Sequence, residues 1–203
     1  MINVSARNEP WAWVNLRAWG GVSDEKPFLF RAWGHSMNPI ETDRLLIRNF
    51  TAGDWQALQG VIVRYQASDS AQFEPPWPTT DAEIQGITAW FASGEDYLCV
   101  CLKTTGAVIG LLAIEKRDDH GERVHNLGYV FDPAHHGHGY ALESCRAVMG
   151  YVFNQVGARA IYTGTNTANQ PSMRLLTRLG LKQVKPGEFA LSREEWQALQ
   201  PAG

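Results

Sequence analysis

The stretch Gly128-Tyr129-Val130-Phe131-Asp132-Pro133-Ala134-His135-His136-Gly137-His138-Gly139-Tyr140-Ala141 runs from an apolar strand pattern, through a turn, into a loop with two glycines and then a helix. The helix is signalled at once. Leu142, Cys145, Met149, Val152 and Val156 recur three or four apart, which places them on one face. A strand feeding a glycine-bearing loop at a helix start is suited to holding a phosphate. Glycine has no Cβ, so backbone can approach a ligand closely. The unpaired N–H groups of a first helical turn point at an anion, and the helix dipole favours it. By itself the same stretch also reads as an ordinary strand-to-helix turn.

Downstream, residues 160–165 form a short strand after a crossover helix, which predicts that it lies parallel to the 124–131 strand. Asn169 is placed to cap the next helix, with Pro171 in its first turn, Leu175, Leu176 and Leu179 on its buried side and Gly180 at its end. A tight hairpin through Pro186-Gly187 follows, and Ser192 caps a terminal helix that carries Trp196. Upstream, residues 97–103 and 107–116 are strands joined by Thr104-Thr105-Gly106, an antiparallel hairpin. Residues 44–49 read as the first strand, followed by a Thr51-capped helix with Trp55, Leu58, Ile62 and Tyr65 as its apolar stripe. Three prolines exclude regular structure from residues 73–78. Thr79 or Thr80, with Glu83, then starts a second helix with Ile84, Ile87, Trp90 and Phe91 inside. Two helices, an antiparallel meander and a strand–loop–helix unit predict a mixed α/β domain.

At 203 residues the chain is long enough for one domain with a substantial core, assigned to residues 37–203. A hydrophobic content of 44% with 19% charged residues fits a globular protein rather than a disordered one. The net charge of −3 and the lack of a basic block argue against nucleic-acid binding, and nothing approaches a membrane span or a signal peptide. Three cysteines, Cys99, Cys101 and Cys145, without metal spacing point to a reducing, cytoplasmic location. No metal is expected at His135, His136 and His138 either, because three histidines on one short loop rarely converge; neutralising phosphate charge suits them better. Residues 1–36, with Trp11, Trp13, Trp19 and Trp33, are set apart as an N-terminal extension or leader, or else as a segment whose indoles pack on the domain or a partner.

From about Thr42 to Trp196 the chain resembles the GNAT superfamily of acyl-CoA-dependent N-acetyltransferases, in particular the branch of the ribosomal-protein alanine acetyltransferases. The residues that carry this are Glu41-Thr42-Asp43-Arg44-Leu45-Leu46-Ile47-Arg48, Ile109-Gly110, Leu127-Gly128-Tyr129 and Gly137-His138-Gly139-Tyr140-Ala141-Leu142-Glu143. Asn169-Gln170-Pro171-Ser172, Leu179-Gly180-Leu181 and Phe189-Ala190-Leu191-Ser192-Arg193-Glu194-Glu195-Trp196 complete the set. Each piece is weak alone; their order and spacing carry the assignment, over about three quarters of the chain. The resemblance implies a central, mostly antiparallel sheet flanked by helices, whose fourth (124–131) and fifth (160–165) strands run parallel and splay apart around the cofactor.

The family's loop pattern Gln/Arg-x-x-Gly-x-Gly/Ala appears here as Ala134-His135-His136-Gly137-His138-Gly139, with Ala134 in place of the polar first residue. The resemblance implies that amides of His136, Gly137, His138, Gly139, Tyr140 and Ala141 hold the pyrophosphate of acetyl-CoA, and that Tyr129, Val130 and Phe131 pair with its pantetheine arm. It places Asn169 on that arm and Ser172 near the sulfur, where a hydroxyl can protonate the leaving thiolate; helix capping is the alternative for both. Where related enzymes often carry a glutamate base, this chain has Asn126, which can hold a water beside the titratable His125; Glu115 and Glu74 are further candidates. The expected acceptor is a primary amine, of a protein N-terminus or a small molecule, attacking directly in a ternary complex. An α-amine of pKa about 8 needs less help from a base than lysine at about 10.4. A homodimer is a candidate assembly. The alternative function is a catalytically weak acyl-CoA-binding sensor, which Asn126 and Ala134 favour.

Overall fold

The computed structural model describes residues 37–200; residues 1–36, the expected extension, lie outside the described residues. In chain order the elements are β1 (Ile40–Glu41), β2 (Leu45–Asn49), α1 (Trp55–Gln66), α2 (Asp81–Ala92), β3 (Tyr97–Leu102), β4 (Val108–Ala113), β5 (Val124–His125) and β6 (Gly128–Phe131). They continue with α3 (Tyr140–Tyr151), β7 (Ala160–Gly164), α4 (Gln170–Arg178), β8 (Lys182–Lys185), β9 (Glu188–Ser192) and α5 (Arg193–Ala198). Helix starts follow the local chemistry. Glu83 accepts from the N–H and hydroxyl of Thr80, Glu195 exchanges bonds with Ser192, and the Asn169 side chain accepts from the Ser172 N–H at 3.2 Å.

The strands form two sheets. One is antiparallel in the order β1-β2-β3-β4-β6; the other has the order β5-β7-β9-β8, with β5 and β7 parallel. Alternation along β3 divides the core into two layers. Tyr97, Cys99 and Cys101 face a layer built with α1 and α2, while Leu98 and Val100 face one built with α3 and the second sheet. At Gly110 the sheet leaves no room for a side chain: an added Cβ would meet the Val130 carbonyl at 2.7 Å and the Phe131 ring at 2.6 Å. That contact holds β6, a wall of the site described below, close against β4.

Three expectations need correction. Trp90 is not inside: it is 42% exposed at the end of α2, its ring tilted against Phe91 and Tyr97. Val156 is 40% exposed, because α3 opens into a π turn at Val152–Val156 whose wider winding carries it off the buried face. Arg193 secures that turn by donating to the carbonyls of Phe153 and Ala158. Most consequentially, residues 124–131 are not one strand. β5 pairs with β7, β6 pairs with β4, and the chain changes sheets at Asn126-Leu127.

Candidate active site

That change of sheet makes the site. β5 and β7 are paired at Val124 with Ala160 and at His125 with Ile161; beyond this β6 follows β4 while β7 follows β9. Where the strands part, the Thr163 hydroxyl donates to the Leu127 carbonyl at 2.9 Å, a side chain taking the place of a ladder bond. A cleft of about 610 Å³ opens from this apex. The ladder also sets which groups face it. The Asp132 N–H donates to Ile109 on β4, so the residues of β6 alternate, and Tyr129 and Phe131 turn their amides away from β4 towards the cleft. The Phe131 carbonyl on that side is already taken, accepting from the His136 ring Nε2 at 3.1 Å.

The glycine loop closes one end. Gly137 and Gly139 have φ of +78° and +81°, left-handed conformations that a side chain would strain. The loop's carbonyls are bonded back into the protein. His135 and His136 N–H donate to Asp132 and Pro133, the His138 ring Nδ1 donates to the His136 carbonyl at 2.8 Å, Arg44 donates to the His138 carbonyl at 3.0 Å, and Glu143 N–H donates to Gly139. The amides of Gly137, His138, Gly139, Tyr140, Ala141 and Leu142 have no acceptor among the described residues. Six successive donors at a helix N-terminus, fixed by their own carbonyls, form a cradle for an anion.

One expectation about this loop changes. The His136 amide is spent on Pro133, at 3.1 Å, inside a single 3-10 turn at Pro133–His135. The rings of His136 and His138 each spend one nitrogen on a loop carbonyl while lining the cleft, and His135 lies 3.4 Å from the Asp132 carboxylate. Asp132 is buried. Burial pushes its carboxyl up, but hydrogen bonds from Arg64 and the Ala134 N–H outweigh this and hold it below the usual carboxylate range. Arg44, just before β2, pairs with Glu143 at 2.6 Å, covers the Tyr140 ring and braces the loop.

Across the cleft, Ser172 in the first turn of α4 lies 2.7 Å from the Tyr129 hydroxyl. Burial pushes the Tyr129 phenol well above its ordinary value, so it stays protonated at neutral pH. Asn169 also lines the cleft, its side-chain oxygen committed to the cap. His125 and Asn126 are not part of the wall. They are buried beneath the apex, where the His125 ring bonds the Ile114 carbonyl at 3.1 Å and the Asn126 N–H donates to Glu115 at 2.7 Å. Among the described residues the Asn126 side-chain amide has no hydrogen-bond partner. Glu115 accepts from the Tyr97 hydroxyl and is likewise outside the wall.

Sequence reasoning did not find Arg44, Arg174 or Arg178. The last two lie on the cleft side of α4, and their four-residue spacing opposite Leu176 is the signal that was available. Tyr65 and Ser70, far upstream, had no such signal.

A splayed pair of parallel strands with an amide cradle at the next helix start is the architecture of an acyltransferase of the GNAT type. Residues 44–182 match the acetyltransferase (GNAT) domain family, and the chain belongs to that family of acetyltransferases. It is similar to an uncharacterized N-acetyltransferase, YnaD, of Bacillus subtilis, at 27% identity over 77% of this chain and 98% of that one. In fold it is similar to the ribosomal-protein-S5-alanine acetyltransferase of Vibrio fischeri (TM-score 0.68, 14% identity, 79% of this chain, 99% of that one). It is also similar to the aminoglycoside acetyltransferase AAC(6')-Ib solved with coenzyme A (TM-score 0.60, 16% identity, 76% and 98%).

Proposed function

We propose that this enzyme moves an acetyl group from acetyl-CoA to a primary amine by direct attack in a ternary complex. The observation that carries the reading is the run of six unbonded amides from Gly137 to Leu142 at the mouth of the splayed cleft. This cradle suits a diphosphate, and Arg174 and Arg178 add positive charge along the same wall. The inward N–H groups of Tyr129 and Phe131 suit the amide groups of a pantetheine arm. Either N–H is also a donor for the negative charge that builds on the acetyl oxygen.

Acetyl-CoA, when bound, supplies the thioester and the leaving thiolate. Ser172 gives the thiolate a proton, and Tyr129, 2.7 Å away and itself protonated, replaces it. The cleft therefore carries a proton donor as well as a binding surface, which favours turnover over a sensor role. The acceptor is an α-amine of a protein N-terminus or an amine of a small molecule; of the two structural relatives named above, one has a ribosomal-protein alanine in its name and the other an aminoglycoside. The three free, buried cysteines accord with a cytoplasmic location.

Thermal unfolding tests the reading. Acetyl-CoA at a hundred times its Kd is expected to add about 2.7 kcal/mol, a rise in Tm of about 5–10 °C for a domain of this size. No rise overturns it.

A further inference from the structure

The cleft wall carries charge of both signs. Arg174 and Arg178 line it on α4, and among the described residues Glu74 is the single carboxylate in it. Glu74 shares that wall with Tyr129 and Ser172, so it faces the cavity in which the proton-donating pair lies. It is also held in place. Pro75 forces the residue before it to be extended, and Glu74 has φ −135° and ψ 155°. Trp77 is buried in the α1–α2 layer, Gln66 donates to its carbonyl, and Gln59 anchors Thr79 at 2.9 Å. The stiff segment 73–78 thus presents a carboxylate from a fixed backbone.

We propose that Glu74 is the acceptor residue of the cleft: it receives a cationic primary amine as its ammonium and takes one proton from it so that the nitrogen can attack. The inference rests on the acetyl-transfer reading given above. In the step, an N–H proton passes to a Glu74 carboxylate oxygen, the C–N bond forms and the C–S bond breaks. The thiolate takes a proton through Ser172 and Tyr129, the nitrogen's second proton restores that pair, and Glu74 releases its own to water. One ammonium and one thioester give one amide, one thiol and one proton.

The surroundings of Glu74 make its carboxylate a better proton acceptor than an exposed one. Burial pushes its carboxyl up, and the Tyr65 hydroxyl and Trp77 indole pull it only part of the way back. Tyr65 from α1 and Tyr129 from β6 are the titratable groups that face it, and both phenols are pushed up and so neutral.

The experiment follows coenzyme A thiol release by the full chain with a panel of primary amines (N-terminal peptides, an aminoglycoside and a polyamine) between about pH 6 and 10. Glu74→Gln is expected to keep the acetyl-CoA-induced rise in Tm and to lose about a hundredfold in kcat/KM for the amine at neutral pH. Its kcat/KM should then climb tenfold per pH unit up to the pKa of the amine, whereas the parent enzyme levels off earlier. Glu74→Asp is expected to restore the parent profile in part. Glu74→Gln with unchanged kcat/KM and pH profile overturns the inference. So does a panel in which no amine speeds thiol release although acetyl-CoA raises Tm. Absence of any rise in Tm with the parent protein instead overturns the acetyl-CoA reading on which it rests.

Discussion

The two ends of the cleft are built from different material. The cradle at Gly137–Leu142 is backbone: its donors are amides, and side chains act there only by occupying the carbonyls. The opposite end is side chains: Tyr65 from α1, Glu74 from the proline segment, Tyr129 from β6 and Ser172 from α4. A backbone site tolerates changes of side chain and fails when a glycine gains a Cβ. A convergent side-chain site tolerates backbone changes nearby and fails when one functional group is removed. The invariant half of a two-substrate reaction suits the first kind of construction, and the variable half suits the second.

The largest expected effect tests the brace that joins the two ends. Arg64 on α1 donates to Asp132 at 2.9 and 2.7 Å, and the Asp132 side chain is only 2% exposed. Arg64→Ala leaves that charge buried and unpaired, which should cost about 3 kcal/mol in denaturant unfolding. The pH dependence has a definite sign. The folded pKa of Asp132 is depressed, so its contribution is fully present above the unfolded value of about 3.9 and is lost as pH falls through the lower folded value. The stability gap between the parent and Asp132→Asn should therefore stay constant at neutral pH and shrink below about pH 4.

Next comes Ser172→Ala, expected to lower kcat about a hundredfold, or about 2.7 kcal/mol. The acetyl-CoA-induced rise in Tm should be unchanged, because the Asn169 cap bonds the Ser172 backbone and not its hydroxyl. Gly137→Ala is the converse. Among the described residues no atom lies within 4 Å of the added Cβ, so the fold loses only the cost of a positive φ, about 1–2 kcal/mol. Calorimetry should nonetheless show acetyl-CoA binding weakened about tenfold, roughly 1.4 kcal/mol. The smallest effect belongs to Ala134→Gln, which restores the family's polar residue. Ala134 is exposed and its amide is bonded to Asp132, so the KM for acetyl-CoA should change less than about twofold. A larger improvement would mean that side chains do more at the cradle than the hydrogen bonds show.

Legibility in the sequence follows the same division. The glycine loop, the caps at Thr80, Asn169 and Ser192 and the hairpin ends were readable because each depends on residues a few positions apart. The break at Asn126-Leu127 was not. Residues 124–131 read as one strand in spite of His125 and Asn126, and neither residue by itself marks where the chain exchanges β7 for β4 as its neighbour. Asn126 stands where the family pattern suggests a residue to hold a water, and in the structure the sheets divide there, beneath the cleft wall. The aromatic loop at 73–78 was readable as irregular and stiff, but its partner across the cleft was not.

By itself the sequence determined the order of strands and helices, the glycine cradle and the family, since periodicity, capping and positive φ are properties of neighbouring residues. The tertiary structure alone decided that β5 and β6 belong to different sheets, that the His136 and His138 rings each bond a loop carbonyl, and that Glu74 shares one cavity with Tyr129 and Ser172. Those facts depend on contacts between residues tens of positions apart, whose geometry is set by how whole sheets pack and not by any local rule.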